Sequence, residues 1–431
     1  MLSKLADMGK IQDDNRLYSF LRNFVDHHTF RGFRKYQIVG RENIPEGACV
    51  FGSNHCNTLT DAMVILGTTH EKKVFIARGD IFQNPKTAKI LRWLRILPIF
   101  RIRDGIGAVR DKNGDTMDQA IDVMHDEVPL YLFPEATHRT KHSLRPLSKG
   151  IFHIALDANR QFGNEKPVYI VPVGLEYGDY FRYRSTVLIN YGKPINITEF
   201  VKSHEGDTDA LIINELKTVL RERMAALISF IPDEDEDYEA IWELVKIRTG
   251  KRPCSLKKRL ENNQKTITEI LDFKAKEPEK AKTLFEKVRK FTKLRKEKKI
   301  SVKSVARKAT FGKTLLKTLL VLLGLPFYLA AAVVTCPIWI IAYFLLKGLK
   351  DKAFRNTANY GVEFVMHPLI SLIGVILLFC LAPWEIAALG TIFLYYSYVY
   401  FLDFNEFLRI WMSDIRLIFN KKLGDEAKEF F

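Results

Sequence analysis

The stretch Ala48-Cys49-Val50-Phe51-Gly52-Ser53-Asn54-His55-Cys56-Asn57-Thr58-Leu59-Thr60-Asp61 runs from a β-prone apolar segment through a polar turn into a helical pattern. A histidine alone at a strand end is more often a structural or surface residue. An aspartate a few residues later changes that reading. Its carboxylate can accept the imidazole N–H, fix the tautomer and support the positive charge when the ring takes a proton. Positions six apart on one continuous helix lie about 240° around its axis, on different faces. His55 and Asp61 can therefore meet only if His55 sits in the loop and Asp61 inside the helix, with Asn57 or Thr58 capping the entry.

Outward from this point, from Tyr36 to about Gly192, β-rich runs alternate with helical patterns. The runs are YQIVG, ACVFGSN, KVFIARG, LPIFRI, VPLYLFPE, VYIVPVGLEY and TVLINYG, and the helical stretches include Asp61–Leu66, Thr87–Leu94 and the Asp115–Met124 region. Such alternation predicts an α/β domain with a mixed or largely parallel sheet and flanking helices. Three more motifs lie within it. In Leu97-Pro98-Ile99-Phe100-Arg101-Ile102-Arg103, alternate arginines at a strand end point the same way, as an anion site or a solvated basic edge. In Leu132-Phe133-Pro134-Glu135-Ala136-Thr137-His138-Arg139, followed by Lys149-Gly150, an acid after an apolar strand and flanked by bases suits a ligand hydroxyl beside a phosphate. Val171-Pro172-Val173-Gly174 reads by itself as an apolar strand with a breaker.

Composition narrows the class. The 431 residues are 47% hydrophobic and 27% charged, which excludes a disordered or fibrous chain. Five scattered cysteines without a C-x-x-C pair argue for a reduced, cytosol-facing chain lacking a disulfide framework or structural zinc. The spacings of His27, His28, His138, His142 and His153 match no metal motif. The first residues, MLSKLADMGKIQDDNR, contain no apolar core of a secretory signal.

The net charge of +16 is concentrated. Between Lys251 and Lys308 stand 21 basic residues against 7 acidic ones, and the rest of the chain is close to balance. Thr318 to Leu346 then runs 29 residues without Asp, Glu, Lys or Arg, and Phe364 to Leu402 runs 39 with only Glu385. Such runs predict membrane-inserted helices, so the basic segment reads as a juxtamembrane patch attracted to anionic lipid. Nucleic-acid binding is not expected, because the patch lacks interleaved aromatics and any helix-turn-helix or finger spacing. All three polar segments around the runs are basic, which predicts that all three lie on the cytoplasmic side and that each run enters and returns. Pro326 and Pro337 would bend the first run as a re-entrant hairpin, and Pro383-Trp384-Glu385 would mark the turn in the second. Residues 1–35 read as an amphipathic helix with Leu17, Phe20, Leu21 and Phe24 on one face, either packing on the protein or lying in the membrane interface. The expected segments are thus 1–35, an α/β domain at 36–195, a charged helical region at 196–313, and membrane-embedded hairpins with a cytoplasmic tail at 314–431.

The order of the four motifs resembles the glycerolipid acyltransferases of the lysophosphatidic-acid acyltransferase superfamily, over roughly residues 36 to 195. The resemblance implies His55 as general base and Asp61 as its orienting partner. It implies Arg101 and Arg103 as phosphate ligands, Glu135 as the acid holding the glycerol backbone, Thr137 and Lys149 as further substrate contacts, and Pro172 as part of the acyl pocket. It also implies acyl transfer, most simply to 1-acyl-glycerol-3-phosphate, with acyl-CoA or acyl carrier protein as cosubstrate and no further cofactor. Three departures stand out. Five residues separate His55 from Asp61, where four are commonest, and the longer spacing resembles some glycerol-3-phosphate and dihydroxyacetone-phosphate acyltransferases. Ala136 replaces the usual glycine after the acid, which would require ordinary backbone angles there. His138 stands where many members carry arginine.

Overall fold

The computed structural model describes residues 9–100, 106–163, 165–232, 236–250 and 255–431, with the side chains of 106–113 excepted. Contacts group the chain into two compact units. One comprises Lys35–Tyr180 and Thr186–Ile228 together with the chain up to Phe30, and the other comprises Ser229–Phe431 with Arg31–Arg34 and Phe181–Ser185.

The first unit opens with α1 (Arg16–Arg31), whose final residue joins the second unit. There follow β1 (Phe33–Val39), β2 (Ala48–Ser53), α2 (Leu59–Leu66), β3 (Val74–Arg78), α3 (Pro85–Trp93), β4 (Ile96–Ile99), α4 (Ile106–His125), β5 (Leu130–Leu132), α5 (Gly150–Phe162), β6 (Val168–Tyr177), β7 (Ser185–Tyr191), β8 (Ile195–Asn196), α6 (Ile197–Ser203) and α7 (Asp209–Ala225). The strands form one mixed sheet in the order β1-β7-β6-β2-β5-β3-β4, with β8 beside β6. Its centre is parallel, β2 lying between β5 and β6, while β7 and β8 run antiparallel to β6. All six residues of β2 are buried, as expected of a strand covered on both faces. Helices α6 and α7, which by charge belong with the region after residue 195, pack with the sheet. On α1 the polar side faces the protein. Arg22 binds the Asp26 carboxylate at 2.9 Å and the Thr69 carbonyl at 2.8 Å, whereas Leu17, Phe20, Leu21 and Phe24 are all exposed. The apolar stripe is therefore not what packs this helix.

The second unit is helical. Its polar part holds α8 (Tyr238–Thr249), α9 (Leu256–Lys276), α10 (Pro278–Glu297) and α11 (Val302–Ala306). Their apolar faces share a core built on Ile241, Leu244, Ile267, Phe285 and Val288, which the C-terminal residues Leu423 and Phe430 also enter. Then come α12 (Phe311–Val334), α13 (Cys336–Gly348), α14 (Arg355–Leu381), α15 (Trp384–Ile418) and α16 (Lys421–Glu426). Among the described residues, α12, α15 and the stretch Lys352–Leu381 containing α14 are long and apolar enough to cross a membrane, and α13 is a shorter apolar helix. Each apolar run is split in two. The first breaks at Thr335, beside Pro337, and the second at Ala382-Pro383. Pro326, expected to help bend the first run, instead lies inside the continuous α12.

Candidate active site

The site begins where β2 ends. Asn54 extends the β2–β6 pairing by its side chain: Oδ1 accepts the Leu175 N–H at 2.6 Å, and Nδ2 donates to the Leu175 carbonyl at 3.1 Å. The chain then turns through His55 to Asn57 and enters α2 at Thr58, whose φ of +52° lies in a region that side chains with a Cβ rarely adopt. His55 thus sits in the turn and Asp61 in the first turn of α2, which is the condition their spacing imposes.

Asp61 is fully buried, yet it is well provided with donors. Its Oδ2 accepts from His55 Nδ1 at 2.8 Å, from the Cys56 N–H at 2.8 Å and from the Asn57 N–H at 2.7 Å. Its Oδ1 accepts the Tyr177 hydroxyl at 2.7 Å. Burial, reinforced by the charge of Asp61, pushes the Tyr177 hydroxyl well above the usual phenol range, so it remains a donor. The backbone amides of the turn and one tyrosine therefore hold a carboxylate that in turn aligns His55. With Nδ1 committed to Asp61, Nε2 is the nitrogen left for a substrate. The His55 side chain is 18% exposed, and its ring stacks on Phe133 with centroids 4.3 Å apart.

Glu135 comes to the same place from the loop after β5. Its Oε1 accepts the His55 N–H at 3.0 Å, and its Oε2 accepts the Arg145 N–H at 2.7 Å. The Arg139 N–H closes the loop onto the His55 carbonyl at 2.9 Å, and the His138 ring stands edge-on to His55, centroids 5.8 Å apart. Burial pushes the Glu135 carboxyl up, while the two backbone hydrogen bonds pull it back. The structure thus gives Glu135 a task that its sequence position does not announce, tying the histidine turn to the loop that carries Thr137.

Ala136 corrects an expectation. Its φ is +62°, the left-handed conformation that glycine adopts freely, and not the ordinary angles its methyl would favour. The tight turn is closed by the Ala136 N–H on the Phe133 carbonyl and the Thr137 N–H on the Glu135 carbonyl, and it is anchored by the two bonds of Glu135.

The remaining sequence candidates are placed as follows. Thr137 is half-buried in the loop, Lys149 is exposed just before α5, and Pro172 is buried in β6 opposite Gly52. Arg101 and Arg103 lie outside the described residues. Cys56, beside the histidine in the chain, turns inward: it is 2% exposed, its sulfur accepts from Asn54 Nδ2 at 3.1 Å, and burial drives the thiol well above its usual range. Tyr177 escaped the sequence reading. Its only signal is an aromatic residue at the end of the strand that pairs with the one leading to His55.

Residues 35–176 match the family model described as Acyltransferase. The match spans the stretch that carries the four motifs. Over 123 residues the chain is 26% identical to glycerol-3-phosphate O-acyltransferase 2 of Saccharomyces cerevisiae, which covers 28% of this chain and 16% of that protein. Among solved structures it aligns with the 1-acyl-sn-glycerophosphate acyltransferase PlsC of Thermotoga maritima, at 19% identity and a TM-score of 0.33, over 51% of this chain and 86% of that one.

Proposed function

We propose that this chain is a membrane-bound O-acyltransferase that moves a fatty acyl group from an acyl thioester, acyl-CoA or acyl carrier protein, to the hydroxyl of a phosphorylated glycerol. The observation that carries the reading is the 2.8 Å bond between His55 and a buried Asp61 inside the acyltransferase domain. His55 Nε2 takes the acceptor proton as the hydroxyl oxygen attacks the thioester carbonyl. Asp61 supports the imidazolium. The C–S bond breaks and the thiol leaves with the proton that the imidazolium returns. No acyl-enzyme is required, and the buried Cys56 is not placed to form one.

The remaining roles belong to the same proposal. Arg101 and Arg103 hold the acceptor's phosphate, Glu135, Thr137 and Lys149 line the acceptor side, and Pro172 borders the acyl pocket. The apolar helices anchor the enzyme in the bilayer with the acyltransferase domain in the cytoplasm, and the product enters phospholipid synthesis. For the acceptor, 1-acyl-glycerol-3-phosphate is the first reading. Glycerol 3-phosphate is the second, favoured by the five-residue spacing and by the name of the yeast relative.

The test is thioester release by the purified protein in detergent, with lysophosphatidate, glycerol 3-phosphate or a lyso-aminolipid as acceptor. Release that depends on a phosphorylated glycerol is expected. Release only with the aminolipid would reassign the acceptor, and no release with any acceptor would leave a lipid-binding protein without chemistry. Arg101→Ala and Arg103→Ala should raise the acceptor KM more than the thioester KM.

A further inference from the structure

We infer that Tyr177 is a positioning residue for acyl transfer: its hydroxyl satisfies the buried Oδ1 of Asp61 and holds the carboxylate in line with His55. This rests on the reading of His55 as general base. Asp61 is fully buried, and a dry carboxylate keeps its charge only by accepting hydrogen bonds. Three donors converge on Oδ2, all from the turn 55–57 that Asp61 itself organises. The fourth is different. Among the described residues, Oδ1 has one partner, and it comes from another strand, 116 positions along the chain.

That strand is held in register at the point where it matters. Val173 pairs with Ser53, the last residue of β2, and Asn54 continues the pairing by gripping both backbone groups of Leu175. Tyr177 lies two residues beyond Leu175 and so projects from the same face of β6. The register thereby aims the phenol at Asp61. Without this bond Oδ1 would be buried with no donor, and more of the carboxylate's charge would fall on Oδ2, on the His55 side. Among the described residues, the titratable groups around this site include Tyr36 and Cys56 near Tyr177, Tyr180 with its ring 5.9 Å from that of Tyr177, Glu135 and Glu176 near Cys56, and His138 beside the His55 ring.

The test is Tyr177→Phe, which removes one oxygen atom from a buried ring, assayed as acyl transfer against pH in the full-length protein. Loss of one charge-assisted hydrogen bond should lower kcat about tenfold. The acceptor KM should hardly change. A more basic carboxylate stabilises the protonated His55, so the acid limb of the kcat profile should move to higher pH by about half to one unit. In an Asp61→Asn background the same substitution should cost nothing further, since its action passes through the carboxylate. If Tyr177→Phe does not fold, 3-fluorotyrosine at 177 keeps the shape and strengthens the donor, and the limb should move to lower pH. A profile superimposable on the parent's, with either replacement, overturns the role of Tyr177 while leaving that of His55 intact. Normal turnover by His55→Ala would instead remove the reading on which both depend.

Discussion

Two buried carboxylates, one taken from each unit of this molecule, are treated in opposite ways. In the helical unit Glu243 is 2% exposed and faces fixed cations, accepting Arg295 Nε at 2.8 Å and Lys246 Nζ at 2.6 Å. In the α/β unit Asp61 meets two backbone amides, a tyrosine hydroxyl and a histidine. An ion pair of permanent charges has its lowest energy in a single charge state and can only hold structure. A carboxylate satisfied by neutral dipoles keeps its negative charge in reserve for the one partner that can change protonation. On the proposed reading, the first holds structure and the second supports proton transfer at His55.

The largest effect that would break the contrast lies at His55. His55→Ala should lower kcat by about 10²–10⁴-fold, as loss of a general base does. The midpoint of thermal unfolding should stay close to the parent's, because a partly exposed histidine at a strand end adds little to the core. Asp61→Asn should be nearly as severe, since an amide can hold the wrong tautomer and cannot offset the imidazolium. A His55→Ala protein with near-normal turnover would end the assignment.

The mirror experiment is Arg295→Ala. Leaving Glu243 buried without its arginine should cost about 3–5 kcal/mol of stability, read from denaturant unfolding, while the protein that remains folded keeps its kcat. Burial pushes the Glu243 carboxyl up, but Lys246 and Arg295 outweigh it and hold it below the ordinary range. Its contribution is therefore full above the unfolded-state value and is lost as pH falls through the lower folded-state value. Arg295→Ala should flatten that acid loss. A variant as acid-sensitive as the parent would show that other groups dominate.

Ala136→Gly is a smaller change. Relief of a left-handed φ at an alanine should stabilise the protein by about 1 kcal/mol, measured as a higher unfolding midpoint with activity retained. A lower midpoint would mean that the loop depends on the methyl. The smallest effect is expected for Cys56→Ala, which should keep most of the activity and show no acyl-enzyme in the parent by mass spectrometry. Loss of transfer with a trapped thioester would replace the direct-attack route by a covalent one.

Much of the α/β unit was legible because its signals are local. The β-rich runs from Tyr36 to Gly192 correspond to β1 through β7 and the named helical stretches to α2, α3 and α4, though not to α5. The loop position of His55 with Asp61 inside α2 is the arrangement helix geometry requires if the two are to meet. The helical breaks at Pro337 and Pro383 were legible for the same reason, since a proline removes a donor wherever it stands. Pro326 was not, because whether a proline ends a helix or is carried inside it depends on the packing around it. At Ala136, residue preference pointed one way and the bonds of Glu135 to His55 and Arg145 went the other.

The order of residues along the chain determined which chemistry is present: an ionisable ring, a carboxylate six positions on, an acid after a strand, and apolar runs of membrane length. Only the tertiary structure decided how those groups are held. Glu135 reaches the His55 amide across 80 residues and Tyr177 reaches Asp61 across 116, through strands that adjoin in the sheet but not in sequence. The physical reason is that a hydrogen bond depends on distance and angle in space. Periodicity and propensity report on neighbours along the chain, whereas the donors that keep a buried carboxylate charged are gathered by the pairing of β2 with β5 and β6.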